Sequence, residues 1–132
     1  MNKAKLVEMG DKSPYFQHLN MTLLEIDKGF ARMKMDIGAH HANIEGVVHG
    51  GAVASLADQA AMRAVQTLLK DGLPGRTVQM DIQYLAPARG KVLLAEARIN
   101  KLGRQVAFTD AEVKDEDGTT VALARCTVMV PD

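Results

Sequence analysis

The sequence predicts an α+β domain in which one long helix covers a large antiparallel sheet. Two observations carry this. The only long helical pattern runs from Gly50 to about Lys70 and is stopped by Gly72, Pro74 and Gly75. Around it lie short alternating runs punctuated by turn residues: two before it and four after it. A run of strands with a single helix to cover them is an α+β arrangement. No repeat, low-complexity tract or linker divides residues 1–132, which therefore read as a single domain.

In chain order, Ser13-Pro14 places an N-cap before a first-turn proline, so a short helix is expected over Pro14–His18. In the stretch that follows, Leu24 and Ile26 alternate up to Asp27-Lys28-Gly29. Beyond that turn Phe30, Arg32 and Lys34 alternate with Ala31, Met33 and Met35, which predicts two antiparallel strands about a tight turn. After the long helix, strands are expected over Thr77–Leu85, Val92–Ile99, Gln105–Lys114 and Thr120–Val130. Ala86-Pro87, Gly103 and Asp117-Gly118 separate them, and the simplest connection is an antiparallel meander.

Composition narrows the function. Hydrophobic residues make up 47% of the 132, enough for a sizeable core. Sixteen basic residues balance sixteen acidic ones, without the basic excess of a nucleic-acid binder. No apolar run approaches the roughly 20 residues that span a bilayer, so no membrane association is expected. The first twenty residues lack the continuous apolar segment of a secretory signal. The lone Cys126, in the apolar run ALARCTVMV, reads as a packed core thiol and suits a reducing, cytoplasmic setting.

The chemistry concentrates in HANIEGVVHGGAVASLAD, His41 to Asp58. At about 100° per residue, Ser55, Gln59, Arg63, Gln66 and Lys70 form a stripe expected to face solvent. Asp58 lies roughly 110° from the centre of that stripe, among Ala54, Ala61, Met62, Val65 and Leu69. A carboxylate there carries a desolvation cost unless it is paired or hydrogen-bonded. Two readings stand: a structural aspartate bonded to a neighbour, or a carboxylate kept for chemistry. Gly50 and Gly51 allow close approach, and at a helix start their N–H groups are free donors that suit a developing oxyanion. Gly50 and Asp58 are eight residues apart, roughly 12 Å along a helix. If one substrate carbonyl needs both, they come from two subunits.

Asn43 is either a turn residue or a hydrogen-bond donor to a carbonyl or water; His49 either contacts a bound group or fixes the loop. Adjacent His40 and His41 make poor ligands for one metal, no HxxxH or HExxH pattern accompanies them, and no metal is expected. Nucleophile-elbow, phosphate-loop and dinucleotide fingerprints are absent from the sequence. Arg76, Arg89, Lys91, Lys101 and Arg104 sit at strand ends and loops, where one or two can meet the phosphates of an anionic ligand.

Taken as a whole, HANIEGVVHGGAVASLAD resembles the signature of hotdog-fold acyl-CoA thioesterases of the PaaI-type branch. A loop asparagine, Asn43, precedes His49-Gly50-Gly51 at a helix start, and an acidic residue, Asp58, follows two turns later. The strand-rich segment from Val78 to Ala124 resembles the family as well. The resemblance implies a curved antiparallel sheet wrapped around the long helix, in homodimers that commonly pair into homotetramers. It implies an acyl-CoA substrate hydrolysed without a cofactor. The N–H of Gly50 would polarise the thioester carbonyl, and Asp58 of the partner subunit would act as general base or nucleophile. Asn43, His49 and Gly51 would hold the loop, the carbonyl or the water, and Thr77 would add a hydroxyl. The alternatives are an acyl-CoA-binding module without catalysis and, less favoured, a hydratase or dehydratase of the same fold that uses His49. Acyl specificity stays open, with Met62, Leu69, Met80 and Tyr84 as candidates for the pocket wall.

Overall fold

The computed structural model describes residues 2–70 and 75–131. It opens with a helix that the sequence reading did not anticipate, α1 (Lys3–Asp11), capped by the Asn2 side chain, which accepts from the Lys5 N–H at 2.9 Å. The expected short helix follows as α2 (Pro14–His18), with Ser13 accepting from the Phe16 N–H. Phe16 is buried and its ring lies against Gly10, where a Cβ would come within 2.9 Å of it. Only glycine lets α1 and α2 close on each other there.

Strands β1 (Met21–Asp27) and β2 (Phe30–Asp36) form the expected hairpin, turning at Gly29 with φ +71°. One detail differs from the simple alternation. The register shifts between Leu23 and Glu25, so buried Leu23 faces the core and Leu24 is only half-buried. A bulge supplies the extra residue that puts Leu23 and Ile26, odd and even positions, on one side.

The long helix, α3, spans Gly50–Gln66 and stops one turn short of Lys70. Thr67 ends it: its hydroxyl donates to the Ala64 carbonyl at 2.6 Å and accepts from the Gly29 N–H at 2.8 Å. The helix end is thus tied to the β1–β2 turn. Gly72 and Pro74, the expected stop signals, lie outside the described residues.

The remaining strands are β3 (Arg76–Tyr84), β4 (Val92–Leu102), β5 (Val106–Asp115) and β6 (Thr120–Met129). All six pair antiparallel in the order β1-β2-β4-β5-β6-β3. The expected meander therefore holds for β4-β5-β6 only. β4 pairs with β2, matching Met33 to Ala95, and β3 is displaced to the far edge beside β6, matching Asp81 to Arg125. Hairpin-linked neighbours are legible from turn residues, whereas β3 reaches its partner only after the whole of β4 and β5 has intervened.

The sheet wraps α3 with small residues on both surfaces. Ala57, Ala60, Ala61 and Ala64 of the helix and Ala31, Ala95, Ala97 and Ala107 of the sheet are completely buried. Alanine-on-alanine contact brings helix and sheet backbones close, while Met33, Met35, Leu56 and Leu93, also without exposure, fill the wider gaps. β3 is different. It pairs on one side only, and Val78 and Tyr84 on it are 53% and 52% exposed. No helix among the described residues is long and apolar enough to cross a membrane.

Candidate active site

The loop from Gly38 to His49 delivers the chain to the start of α3, and buried His41 pins it. The His41 Nδ1 accepts from the Gly38 N–H at 2.7 Å, so the ring proton resides on Nε2, which donates to the Leu19 carbonyl at 2.9 Å. The His41 carbonyl in turn accepts from the His49 N–H at 2.7 Å. Asn43 holds the tip: its Oδ1 accepts from the N–H groups of Glu45 at 2.9 Å and Val47 at 3.3 Å. This is an Asx-type turn. His40 is exposed, with its Nε2 2.7 Å from the His18 carbonyl. Among the described residues no group of three His, Cys, Asp or Glu side chains could hold a metal ion.

His49 is the N-cap of α3. Its Nδ1 accepts from the Gly51 N–H at 2.8 Å, while its carbonyl takes the N–H groups of Ala52 and Val53. The glycine pair begins the helix, and the Gly50 N–H makes no hydrogen bond among the described residues. A backbone donor left free at the positive end of a 17-residue helix is a ready partner for an oxyanion.

Asp58 follows two turns on. Its Oδ1 accepts from the Thr77 hydroxyl at 2.7 Å, across from the first residues of β3. The sequence places Asp58 on an apolar face and Ser55, Gln59, Arg63, Gln66 and Lys70 on a solvent-facing stripe; in the structure Asp58 is half-buried, Ser55, Gln59 and Lys70 keep exposure, and Arg63 and Gln66 do not. Arg63 and Gln66 are buried at 6% and 1% exposure, and α2 reaches the first of them, with the Phe16 ring 5.3 Å from the guanidinium carbon. An Arg63 Nη hydrogen-bonds the Gln66 Oε1 at 3.1 Å, and burial pulls the guanidinium pKa down from its usual range. The half-open flank is instead the one carrying Gly51, Ala54, Ser55, Asp58 and Met62. Sequence periodicity shows which residues share a face; it does not show that α2 packs against Arg63 on the polar one.

The Cys126 thiol is buried beneath the same region. Burial, reinforced by the negative charge of Asp58, pushes its pKa up to about 11. At pH 8 that leaves only about a thousandth of the thiol ionised, and the thiolate is the reactive form. Iodoacetamide should therefore leave folded protein unmodified and add one group per chain after denaturation, as read by intact mass; rapid labelling of the folded chain would contradict the buried placement. The stability sign also follows. Above the unfolded value of about 8.5 the unfolded chain releases a proton that the folded chain keeps. Stability from this group is thus intact below about pH 8.5 and falls as pH rises towards 11.

A broad concavity of about 940 Å³ lies on the outer face of the sheet, with Asp81, Glu96, Arg98 and Arg125 among its walls. None of Asn43, His49, Gly50, Asp58 or Thr77 lines it. Its walls mix charged side chains with apolar ones such as Ile82 and Leu123, all from strands β3 to β6, so it is set apart from the helix start and its carboxylate.

A loop asparagine, a glycine pair at a helix start, a carboxylate two turns in and a strand hydroxyl on that carboxylate, all within a sheet wrapped about one helix, define a class. The thioesterase superfamily model matches residues 45–122, and the chain belongs to that family. It is a hotdog-fold thioester hydrolase of the PaaI-type branch. It is 32% identical to acyl-coenzyme A thioesterase 13 of Mus musculus, over 96% of this chain and 92% of that protein. Against acyl-coenzyme A thioesterase PaaI of Escherichia coli the identity is 32%, over 81% of this chain and 75% of the relative. The solved structure of the E. coli PaaI protein superposes with a TM-score of 0.87, covering 95% of this chain and 89% of that one at 27% identity.

Sequence reasoning singled out Asn43, His49, Gly50, Gly51, Asp58 and Thr77, and the structure brings them into two groups. Asn43, His49 and the glycines surround the helix start; Asp58 and Thr77 meet eight residues further along. Three further side chains around the glycines escaped it. Tyr15 and Ser55 received no site role, and Tyr84 only that of a candidate pocket wall. Their common signal is local: Tyr84 ends a strand and Ser55 sits one helical turn after Gly51, but nothing in the sequence brings Tyr15 to them.

Proposed function

We propose that this protein hydrolyses acyl-CoA thioesters to a free acid and CoA, at sites shared between two subunits. The observation that carries the proposal is Asp58: a carboxylate on a half-open helix flank, oriented by Thr77, on a helix whose first N–H has no partner among the described residues. In this reading the Gly50 N–H donates to the thioester oxygen as negative charge develops on it. Asp58 takes the proton of the attacking water, or attacks the carbonyl to give an anhydride that water then opens. Thr77 holds the carboxylate. Asn43 and His49 shape the loop and cap that present Gly50, and the thiol of CoA leaves with the proton. No redox or metal group enters this chemistry.

The separation along α3 supports a shared site, since roughly 12 Å lies between Gly50 and Asp58 of one chain. So does the unpaired edge of β3 with its exposed Val78 and Tyr84, which a second copy would cover. Dimers, or tetramers made of two dimers, are the expected assemblies. The CoA substrate and the free Cys126 fit a cytoplasmic setting.

The test is release of CoA thiol from phenylacetyl-, hydroxybenzoyl-, butyryl-, octanoyl- and palmitoyl-CoA, with the assembly state measured by sedimentation. Turnover of at least one ester by a dimer or tetramer is expected. Binding of CoA thioethers without release of thiol from any ester would instead leave an acyl-CoA-binding module. A fully active monomer would end the shared-site proposal.

A further inference from the structure

The glycine pair at the start of α3 is held more tightly than a helix terminus requires. Glycine is the most conformationally permissive residue, so two in succession leave the orientation of their peptide groups weakly determined by local sterics. Here side chains determine it. The Tyr84 hydroxyl donates to the Gly50 carbonyl at 2.8 Å, and its ring packs so closely that a Cβ on Gly50 would lie 3.3 Å from three of its atoms. The Gly51 carbonyl accepts from the Ser55 hydroxyl at 2.8 Å, and the Ser55 oxygen lies 2.8 Å from the Tyr15 hydroxyl. With the Ser55 proton committed to Gly51, Tyr15 is the donor in that second bond. The Gly51 N–H is taken by His49. Of the four backbone polar groups of the pair, the Gly50 N–H alone has no partner among the described residues.

Tyr15 and Tyr84 are the only tyrosines in the chain, and both are more than half exposed, at 58% and 52%. Neither is needed to fill the core. They come from distant parts of the chain, α2 and the last residue of the edge strand β3, and converge on the same turn. From this geometry we infer that the two tyrosines are positioning residues. Tyr84 acts directly and Tyr15 through Ser55, and together they hold the Gly50-Gly51 peptides so that the Gly50 N–H is the one donor presented to substrate. The inference rests on the proposed use of that N–H in thioester hydrolysis. Tyr84 lies on the same strand as Thr77, so β3 of each chain secures the donor of one shared site and the carboxylate of the other.

Tyr84→Phe keeps the ring and removes the hydroxyl. Because a misplacement of about 1 Å can cost roughly a hundredfold in rate, a partial loosening should lower kcat about tenfold and leave KM within about twofold. Tyr15→Phe, acting at one remove, should lower kcat about threefold, and should have no further effect in a Ser55→Ala background. Melting temperatures of the two phenylalanine variants should match wild type. An unchanged kcat in Tyr84→Phe overturns the inference; so does a loss of kcat that tracks a fall in melting temperature and a rise in KM, the pattern of a merely structural residue. A second readout is independent of turnover. The ¹H–¹⁵N resonances of Gly50 and Gly51 in the unliganded protein should move in Tyr84→Phe, and unmoved resonances overturn the positioning role. Should wild type hydrolyse no acyl-CoA while those resonances move, the substrate reading fails and the tyrosine clamp stands.

Discussion

Asp58→Ala should lower acyl-CoA turnover by about 10²–10⁴-fold, the range that a positioned general base contributes. The assembly and the melting temperature should change little. The argument is geometric. Asp58 is half-buried on the open flank of α3, its one hydrogen-bond partner among the described side chains is the Thr77 hydroxyl, and truncation leaves that hydroxyl at a site water can reach. A structural aspartate would behave oppositely, with stability lost and chemistry spared. Retention of turnover in a folded Asp58→Ala protein would remove the assigned role. The same variant tests the shared site. Gly50→Val should also inactivate, because even a Cβ there presses on the Tyr84 ring at 3.3 Å. Co-refolding the two inactive proteins should recover about a quarter of wild-type activity, since about half of the dimers are mixed and each has one intact site. Recovery of nothing would mean that donor and carboxylate act within one chain.

His41→Leu should destabilise the protein by about 2–4 kcal/mol, read as a lower urea midpoint with an unchanged slope. The imidazole is 1% exposed and satisfies both the Gly38 N–H and the Leu19 carbonyl, one at the start of its own loop and one at the end of α2. Leucine fills a similar volume and leaves both unpaired, at about 1–3 kcal/mol for a fully buried group. His40→Leu is the control. His40 is exposed and its one hydrogen bond, to the His18 carbonyl, is exposed too, so a loss of at most about 1 kcal/mol is expected. Equal effects of the two substitutions would contradict the pinning role. The adjacent histidines thus illustrate a limit of reading by residue type. As a pair they invite a metal reading that their spacing argues against, but which of them anchors the loop depends on where α2 ends, and no local pattern reports that.

Elements set by neighbours in the chain were legible. The Ser13-Pro14 start of α2, the β1–β2 hairpin, the β4-β5-β6 meander and the start of α3 each follow from a cap, a turn residue or a periodicity acting over a few positions. The departures lie where a distant partner decides. Thr67 stops α3 early because the Gly29 N–H is there to meet it. β3 moves to the far edge because β2 has taken the place beside β4. Arg63 is buried because Phe16 of α2 is laid against a position that periodicity assigns to solvent.

For the site the division is similar. By itself the sequence picked out the candidate set of Asn43, the cap and glycines at 49–51 and Asp58 two turns on, because these residue types at these spacings are arranged by a single helix and its entry loop; Thr77, on a separate strand, entered through the family resemblance. Only the tertiary structure decided what each one touches. It put Thr77 on Asp58 across nineteen positions, left the carboxylate on an open flank, and brought Tyr15 and Tyr84 to one glycine turn from positions 69 residues apart. The physical reason is range. Helix periodicity and capping act within a turn or two, whereas a hydrogen bond between distant segments exists only once the sheet has closed around the helix.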